Sequence, residues 1–430
     1  GPLVPRRRPA VQPLRPLAGG LRAPHCPPFF KPESLRMSSF ALSYAPSETL
    51  GFIPERLARL TAIMARKVEE KKAPGVSMLI ARHGRIAYRE SVGALRPGGP
   101  AMPPDAIFRI YSMTKPIVSV AAMMLVEEGR LLITDPVSKF IPAFENTKVG
   151  IVNGDKLDLA PLKRPITVQD LMRHTSGLTY GYTGVSPVQK LMNATNVVNA
   201  NRSLAENVEA MAALPLMHQP GEVWEYSVST DVLGRVIEVI EGASLGEVLQ
   251  QRLFGPLGMV DTAFFIPPSK LPREAKPMSP QVYISLGVDP NPMTEPPRFE
   301  SGGGGLLSTI GDYARFAAML SSGGELDGVR ILGPRMIRFM ASDHLGSNVD
   351  RSHALLAPGH GFGLGFGVRL QYGLATTPGS VGDYFWGGWA GTTFRVSPQD
   401  SLFAIFMTQA PDNREHFGWT FGNLLNAAIL

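Results

Sequence analysis

The sequence predicts an α/β (α+β) fold in which helices flank a central antiparallel sheet and a mostly helical domain is inserted. Three observations lead there. A helix and a β-hairpin pattern open the body of the chain, strands and a last helix close it, and the long stretch between reads as helical, with no internal repeat. Strands near both ends then have mainly each other to pair with, so the sheet is assembled from the two ends. On this reading residues 37–130 and 300–430 form the sheet domain and residues 131–299 the inserted helical one.

The first 36 residues stand apart. They carry Arg6, Arg7, Arg8, Arg15, Arg22, Lys31 and Arg36 against Glu33 alone, are rich in proline, and open on Leu3-Val4-Pro5-Arg6, which resembles a protease-cleavage linker. They read as a tag or upstream tail, disordered or non-native, with Met37 the expected start; a transit peptide is the rival reading, opposed by the prolines. Taking these seven basic residues and one acidic residue from totals of 42 and 36 leaves 35 of each, so the formal charge of +6 belongs to the tail. A basic nucleic-acid-binding face is therefore not expected. The one cysteine, Cys26, also lies in the tail. A body without cysteine has neither disulfides nor thiol catalysis, and without a secretory signal it points to the cytoplasm. No apolar run is long enough to span a membrane, so no membrane association is expected.

In the body, Leu57, Leu60, Ile63, Met64 and Val68 have helical spacing across residues 54–72. Residues 76–81 and 86–92 then form a hairpin pattern about His83-Gly84. A strongly apolar run, Ile117 to Val126, is closed by Gly129 and reads as a buried helix beginning near Ser112. Amphipathic pieces follow at residues 168–172, 204–214, 232–240 and 245–253, before a Pro-rich, loop-like stretch at 266–300. Beyond Gly302-Gly303-Gly304-Gly305 come a helix at 310–320, strands at 363–370, 392–396 and 402–408, and a helix from about 413 to 429.

Chemistry concentrates in three segments. The first holds Ser112-Met113-Thr114-Lys115. Residues three apart share a helix face, so the Lys115 amine can reach the Ser112 hydroxyl, and a helix start favours developing negative charge. An amine of lowered pKa could take the hydroxyl proton. Alone, the pattern equally describes an N-cap serine followed by a solvated lysine. The second is Pro220-Gly221-Glu222-Val223-Trp224-Glu225-Tyr226-Ser227-Val228-Ser229, which sets Tyr226 between a turn and a helix start. A phenol titrates near 10, so basic action at neutral pH needs a cationic neighbour such as Lys115; a half-buried, hydrogen-bonded tyrosine is the alternative. The third is Tyr384-Phe385-Trp386-Gly387-Gly388-Trp389-Ala390-Gly391-Thr392. Its paired glycines, at the start of a strand, permit close approach of a ligand or backbone. An edge strand there could give one oxyanion donor and the Ser112 N–H the other, or the aromatics could simply close the sheet.

Taken together these segments resemble the serine β-lactamase and penicillin-binding-protein superfamily, and within it the family VIII carboxylesterases, whose fold is like that of class C β-lactamases. Further matches lie at Ile166–Leu178, at Pro256-Leu257-Gly258-Met259, and at Gly304–Thr309 with Asp312-Tyr313. The resemblance implies Ser112 as nucleophile, Lys115 as its paired lysine and Tyr226 as the catalytic tyrosine. It places the third motif on Trp386-Gly387-Gly388, making the Trp389 N–H the second oxyanion donor. The implied substrate pocket comprises Tyr111, Val228, Trp386, Gly387, Gly388 and Trp389. Val228 stands where β-lactamases carry the Asn of Tyr-x-Asn, and Trp386 replaces the lysine or histidine of the third motif. Both changes remove groups that orient a β-lactam.

The implied activity is hydrolysis of short-chain esters, a small-molecule substrate class, through an acyl-enzyme on Ser112. An acyltransferase, a β-lactamase or D-amino-acid peptidase, and a penicillin-recognising sensor without turnover are the alternatives. Gly242-Ala243-Ser244-Leu245-Gly246 matches the Gly-x-Ser-x-Gly nucleophile elbow, but that elbow needs a strand before it. Here a helix precedes, and Ser244 with Glu247 reads as a capping box. The histidines, including His174 on a helix-ending turn, are scattered without ligand spacing, so neither metal nor other cofactor is expected.

Overall fold

A computed structural model describes residues 42–154, 156–279, 281 and 294–430. Residues 1–36, Cys26 and part of the Pro-rich 266–300 stretch lie outside the described residues. In chain order the strands are β1 (Gly75–Arg82), β2 (Arg85–Gly93), β3 (Ile107–Arg109), β4 (Lys148–Asn153), β5 (Lys156–Pro161), β6 (Leu307–Thr309), β7 (Glu325–Leu326), β8 (Val329–Arg330), β9 (His360–Phe362), β10 (Gly367–Arg369), β11 (Tyr384–Gly387), β12 (Thr393–Ser397) and β13 (Leu402–Thr408). Seven of them form one antiparallel sheet in the order β2-β1-β13-β12-β11-β10-β9. The hairpin near the start of the body therefore pairs with the last strand, with Val76 opposite Thr408 and Arg82 opposite Leu402.

Successive side chains on a strand point to opposite faces, and both faces of this sheet are covered. From β1, Val76, Met78 and Ile80 join Leu57, Leu60 and Met64 of α1 (Pro54–Glu69) and Phe417, Phe421 and Leu425 of the C-terminal helix Arg414–Ala428. Leu79 and Ala81 face the larger core with α2 (Thr114–Glu127) and the Ile310–Ser321 helix. Because α2 is enclosed almost all round, its sequence is an unbroken apolar run rather than a stripe. The anticipated helices recur as α3 (Val168–Met172), α5 (Leu204–Ala212), α6 (Ser229–Glu241) and α7 (Leu245–Leu249), with an unanticipated α4 (Pro187–Thr195) before α5.

Three expectations are corrected. The stretch read as helical contains the β4–β5 hairpin, in which Asn153 pairs with Lys156 and Gly154, at φ +63°, begins the turn. A glycine at that place is a hairpin signal, since the favoured two-residue turns need positive φ at their first central residue. The strand expected at 363–370 shortens to β10, which pairs antiparallel with β9 just before that stretch, Gly367 opposite Phe362. The chain reverses through Gly365 at φ +93°, where a Cβ would fall 2.4 Å from Ser119 Oγ. Strand β11 is not an edge: it lies between β12 and β10, and Gly387 ends it rather than starting one. Its pairing with β10 involves only Tyr384 and Phe385, while Trp386 and Gly387 pair with β12 alone.

Candidate active site

Strand β3 delivers the chain to Ser112. It pairs with β6, then Ile110 leads into a short 3-10 turn, Tyr111–Met113, and α2 begins only at Thr114. Tyr111 holds φ +45°, a left-handed conformation unfavourable for a side chain with a Cβ. Its ring packs edge-on against Trp389 at 5.5 Å, and the Tyr313 hydroxyl donates to the Met113 carbonyl at 3.0 Å, so the turn is held from two sides. Ser112 makes no cap hydrogen bond, and Lys115 is only 1% exposed. The N-cap serine and solvated lysine are therefore not what the sequence builds.

The Lys115 amine donates to Gly303 O at 2.6 Å, to the Tyr180 hydroxyl at 3.1 Å and to Ser112 Oγ at 3.4 Å. Burial brings its pKa down to about 7, against the opposing pull of the Asp231 carboxylate. Asp231 is itself buried and accepts from Ser301 Oγ at 2.6 Å and from the Gly303 N–H at 3.0 Å. Burial pushes its carboxyl up, with the Ser301 hydrogen bond and the Lys115 charge working the other way.

Tyr226 is buried beside this group. The Lys115 nitrogen lies over its ring, 4.6 Å from the centroid, and Trp386 Nε1 donates to its oxygen at 3.4 Å. Burial raises the phenol above its ordinary value, and its hydrogen bonds with Ser112 and Trp386 offset only part of that. The anticipated lowering of Tyr226 by a cationic neighbour is thus not found: of the two groups, Lys115 sits at the neutral point. His174, at φ +57°, lies 4.8 Å from the Tyr226 ring and hydrogen-bonds Ser227 Oγ through Nδ1 at 3.3 Å. It is fully buried, and this burial, with the charges of Lys115 and His353, keeps its pKa well below the ordinary imidazole range.

The third segment closes the site. Gly388 N–H donates to Thr392 O at 2.7 Å and Gly391 N–H to Gly388 O at 3.0 Å, a tight turn between β11 and β12. A Cβ on Gly388 would stand 2.2 Å from Thr392 Oγ1 and 2.4 Å from Ile110 O, so glycine alone lets this turn abut the strand leading to Ser112. Among the described residues no acceptor takes the N–H of Ser112 or of Trp389. Trp386, Gly387, Trp389 and Tyr111 are half-buried. Val228, expected in the pocket, is fully buried: it directly precedes α6 and its side chain belongs to the apolar core. A cleft of about 500 Å³ opens beside Trp389, flanked by Arg414 and Trp419.

Ser112, Lys115, Tyr226 and Trp386 are thus drawn together from three segments, and Ser244 is not among them. Ser244 caps α7, accepting from Glu247 N at 3.3 Å while Glu247 accepts from Ser244 N at 3.0 Å. Tyr180, Asp231 and Gly303 were not singled out in the sequence. A glycine run lacking phosphate-loop chemistry can still serve close backbone approach, and that was the available signal.

Residues 60–426 match the Beta-lactamase family. The chain belongs to that family. An uncharacterized protein of Mycobacterium tuberculosis is 37% identical over 326 residues, 73% of this chain and 80% of its own. Esterase EstB of Burkholderia gladioli is 30% identical over 370 residues, 82% and 90% of the two chains. Among solved structures, EstCE1, a hydrolase with promiscuous acyltransferase activity, superposes with a TM-score of 0.72 at 25% identity, covering 86% of this chain and 98% of that one. The β-lactamase-like fold and the likeness to family VIII carboxylesterases are borne out, and this member of the Beta-lactamase family is a serine hydrolase. No helix among the described residues is long and apolar enough to cross a membrane.

Proposed function

We propose that the protein is a carboxylesterase that hydrolyses short-chain neutral esters through an acyl-enzyme on Ser112. The observation that carries this reading is the Lys115 amine, buried, near neutrality in pKa and 3.4 Å from the Ser112 hydroxyl. The neutral amine takes the Ser112 proton as Oγ bonds to the ester carbonyl carbon. The oxyanion rests on the N–H groups of Ser112 and Trp389. As the C–O bond to the alcohol breaks, the leaving oxygen takes the Tyr226 proton, and the Lys115 ammonium restores it. Water attacks the acyl-enzyme by the same route in reverse. The name of EstB supports the esterase reading. Passage of the acyl group to an alcohol or amine is the second reading, favoured by the acyltransferase activity in the description of EstCE1.

Trp386 argues against β-lactams as main substrates. Its indole donates to Tyr226 and offers no cation to a drug carboxylate, and buried Val228 offers no polar group to a side-chain amide. Each polar group left unpaired costs about 1–3 kcal/mol, roughly one to two orders of magnitude in specificity. Steady-state assays on one preparation should give kcat/KM for a short-chain p-nitrophenyl ester at least about a hundredfold above that for benzylpenicillin. Equal values, or a preference for the β-lactam, would overturn the esterase reading.

A further inference from the structure

The Lys115 amine has three hydrogen-bonding neighbours, Gly303 O, the Tyr180 hydroxyl and Ser112 Oγ, and an ammonium satisfies each with one N–H. A neutral amine keeps two N–H groups and a lone pair, and it is a base toward Ser112 only when the lone pair faces Ser112. Gly303 O can only accept, so it holds one N–H. The Tyr226 ring face, 4.6 Å away, occupies a further side of the nitrogen. The remaining N–H and the lone pair must divide between Tyr180 and Ser112.

If Tyr180 donated its proton, the lone pair would be spent on it and Ser112 would keep its own. The surroundings oppose that. Gly303 is flanked by both groups: a Cβ there would fall 2.5 Å from Asp231 Oδ2 and 3.2 Å from the Tyr180 oxygen. Both groups thus lie close to one point beside Gly303, and the Asp231 charge, which holds the proton on the phenol, favours that proton turned away from Lys115. The Tyr180 ring is stacked on Tyr182 at 5.0 Å and tilted against Tyr226 at 5.6 Å, which fixes where its oxygen lies.

We propose that Tyr180 is a positioning residue for the hydrolysis: its hydroxyl accepts the second N–H of Lys115 and so turns the lone pair toward Ser112. The inference rests on the reading of Lys115 as the base. In this site two tyrosines divide the work, Tyr226 exchanging a proton with the substrate side and Tyr180 orienting the amine.

Tyr180→Phe keeps the ring packing and removes only the oxygen. The plateau of kcat/KM against pH should fall about 10- to 100-fold, less than for loss of the base itself. The acid limb should also move down by about one pH unit, because the ammonium loses an acceptor. Lys115→Ala, assayed beside it, separates two failures. A fully active Lys115→Ala would remove the base assignment, and the inference with it. An inactive Lys115→Ala together with a Tyr180→Phe enzyme of unchanged plateau and midpoint would leave the base in place and overturn the role of Tyr180. A lower plateau with an unmoved midpoint would mark Tyr180 as merely structural, and also overturns it.

Discussion

Of the groups around Ser112, Lys115 should govern the pH dependence of turnover. Burial, opposed by the Asp231 charge, places its pKa at about 7. The base is the neutral amine, so kcat/KM should climb as pH rises through that value and level off above it. Two units below the midpoint only about 1% of the amine is neutral, so the rate should lie about a hundredfold under the plateau. A lysine left at its ordinary value near 10.5 would instead give a rate still climbing at about pH 9. His174 does not supply an inflection near 7, because burial holds its pKa well below the ordinary imidazole range. The assay is steady-state hydrolysis of a short-chain ester with non-ionising groups, from about pH 5 to about pH 9, corrected for spontaneous hydrolysis. Asp231→Asn removes the charge that favours the ammonium and should move the inflection to lower pH. A profile flat through neutrality, or one still climbing at about pH 9, would refute the assignment.

Two further outcomes are expected. Ser112→Ala should abolish ester hydrolysis, whereas Ser244→Ala should leave it nearly unchanged and cost only the helix cap, about 1 kcal/mol; a dead Ser244 variant in the same esterase assay would reverse the reading. Gly388→Ala should lose most activity, since its Cβ meets Ile110 O at 2.4 Å, while Gly387→Ala, whose Cβ stands 3.3 Å from Thr392 O, should be milder. Equal losses of activity in the two alanine variants would contradict that account of the turn.

How much of this was legible in the sequence depended on whether the signal was local. Periodicity gives β2 and α1 closely, because each buries one face, whereas β1, β13 and α2 are buried almost all round and show as near-continuous apolar runs. Ser112, Lys115 and Tyr226 were legible through motifs as candidates, and the capping box of Ser244 was legible because it is a local pattern. The β4–β5 hairpin was missed although Gly154 marks its turn, and the 363–370 stretch was carried across Gly365, whose positive φ reverses the chain. Tyr180, Asp231 and Gly303 meet Lys115 from segments up to 188 residues away in sequence. No spacing rule connects them. Whether burial would raise or lower the Tyr226 phenol likewise depends on what encloses it, and only the three-dimensional arrangement supplies that.

The central claim is that Ser112 is the acylated nucleophile. A p-nitrophenyl phosphonate ester tests it without reference to any natural substrate, since a serine activated by Lys115 displaces the nitrophenol and keeps the phosphonyl group. Intact-mass spectrometry followed by peptide mapping should find one adduct per chain, on the peptide containing Tyr111-Ser112-Met113, and none in the Lys115→Ala protein. An adduct on Ser244 or another serine, or undiminished labelling of the Lys115→Ala protein, would contradict it.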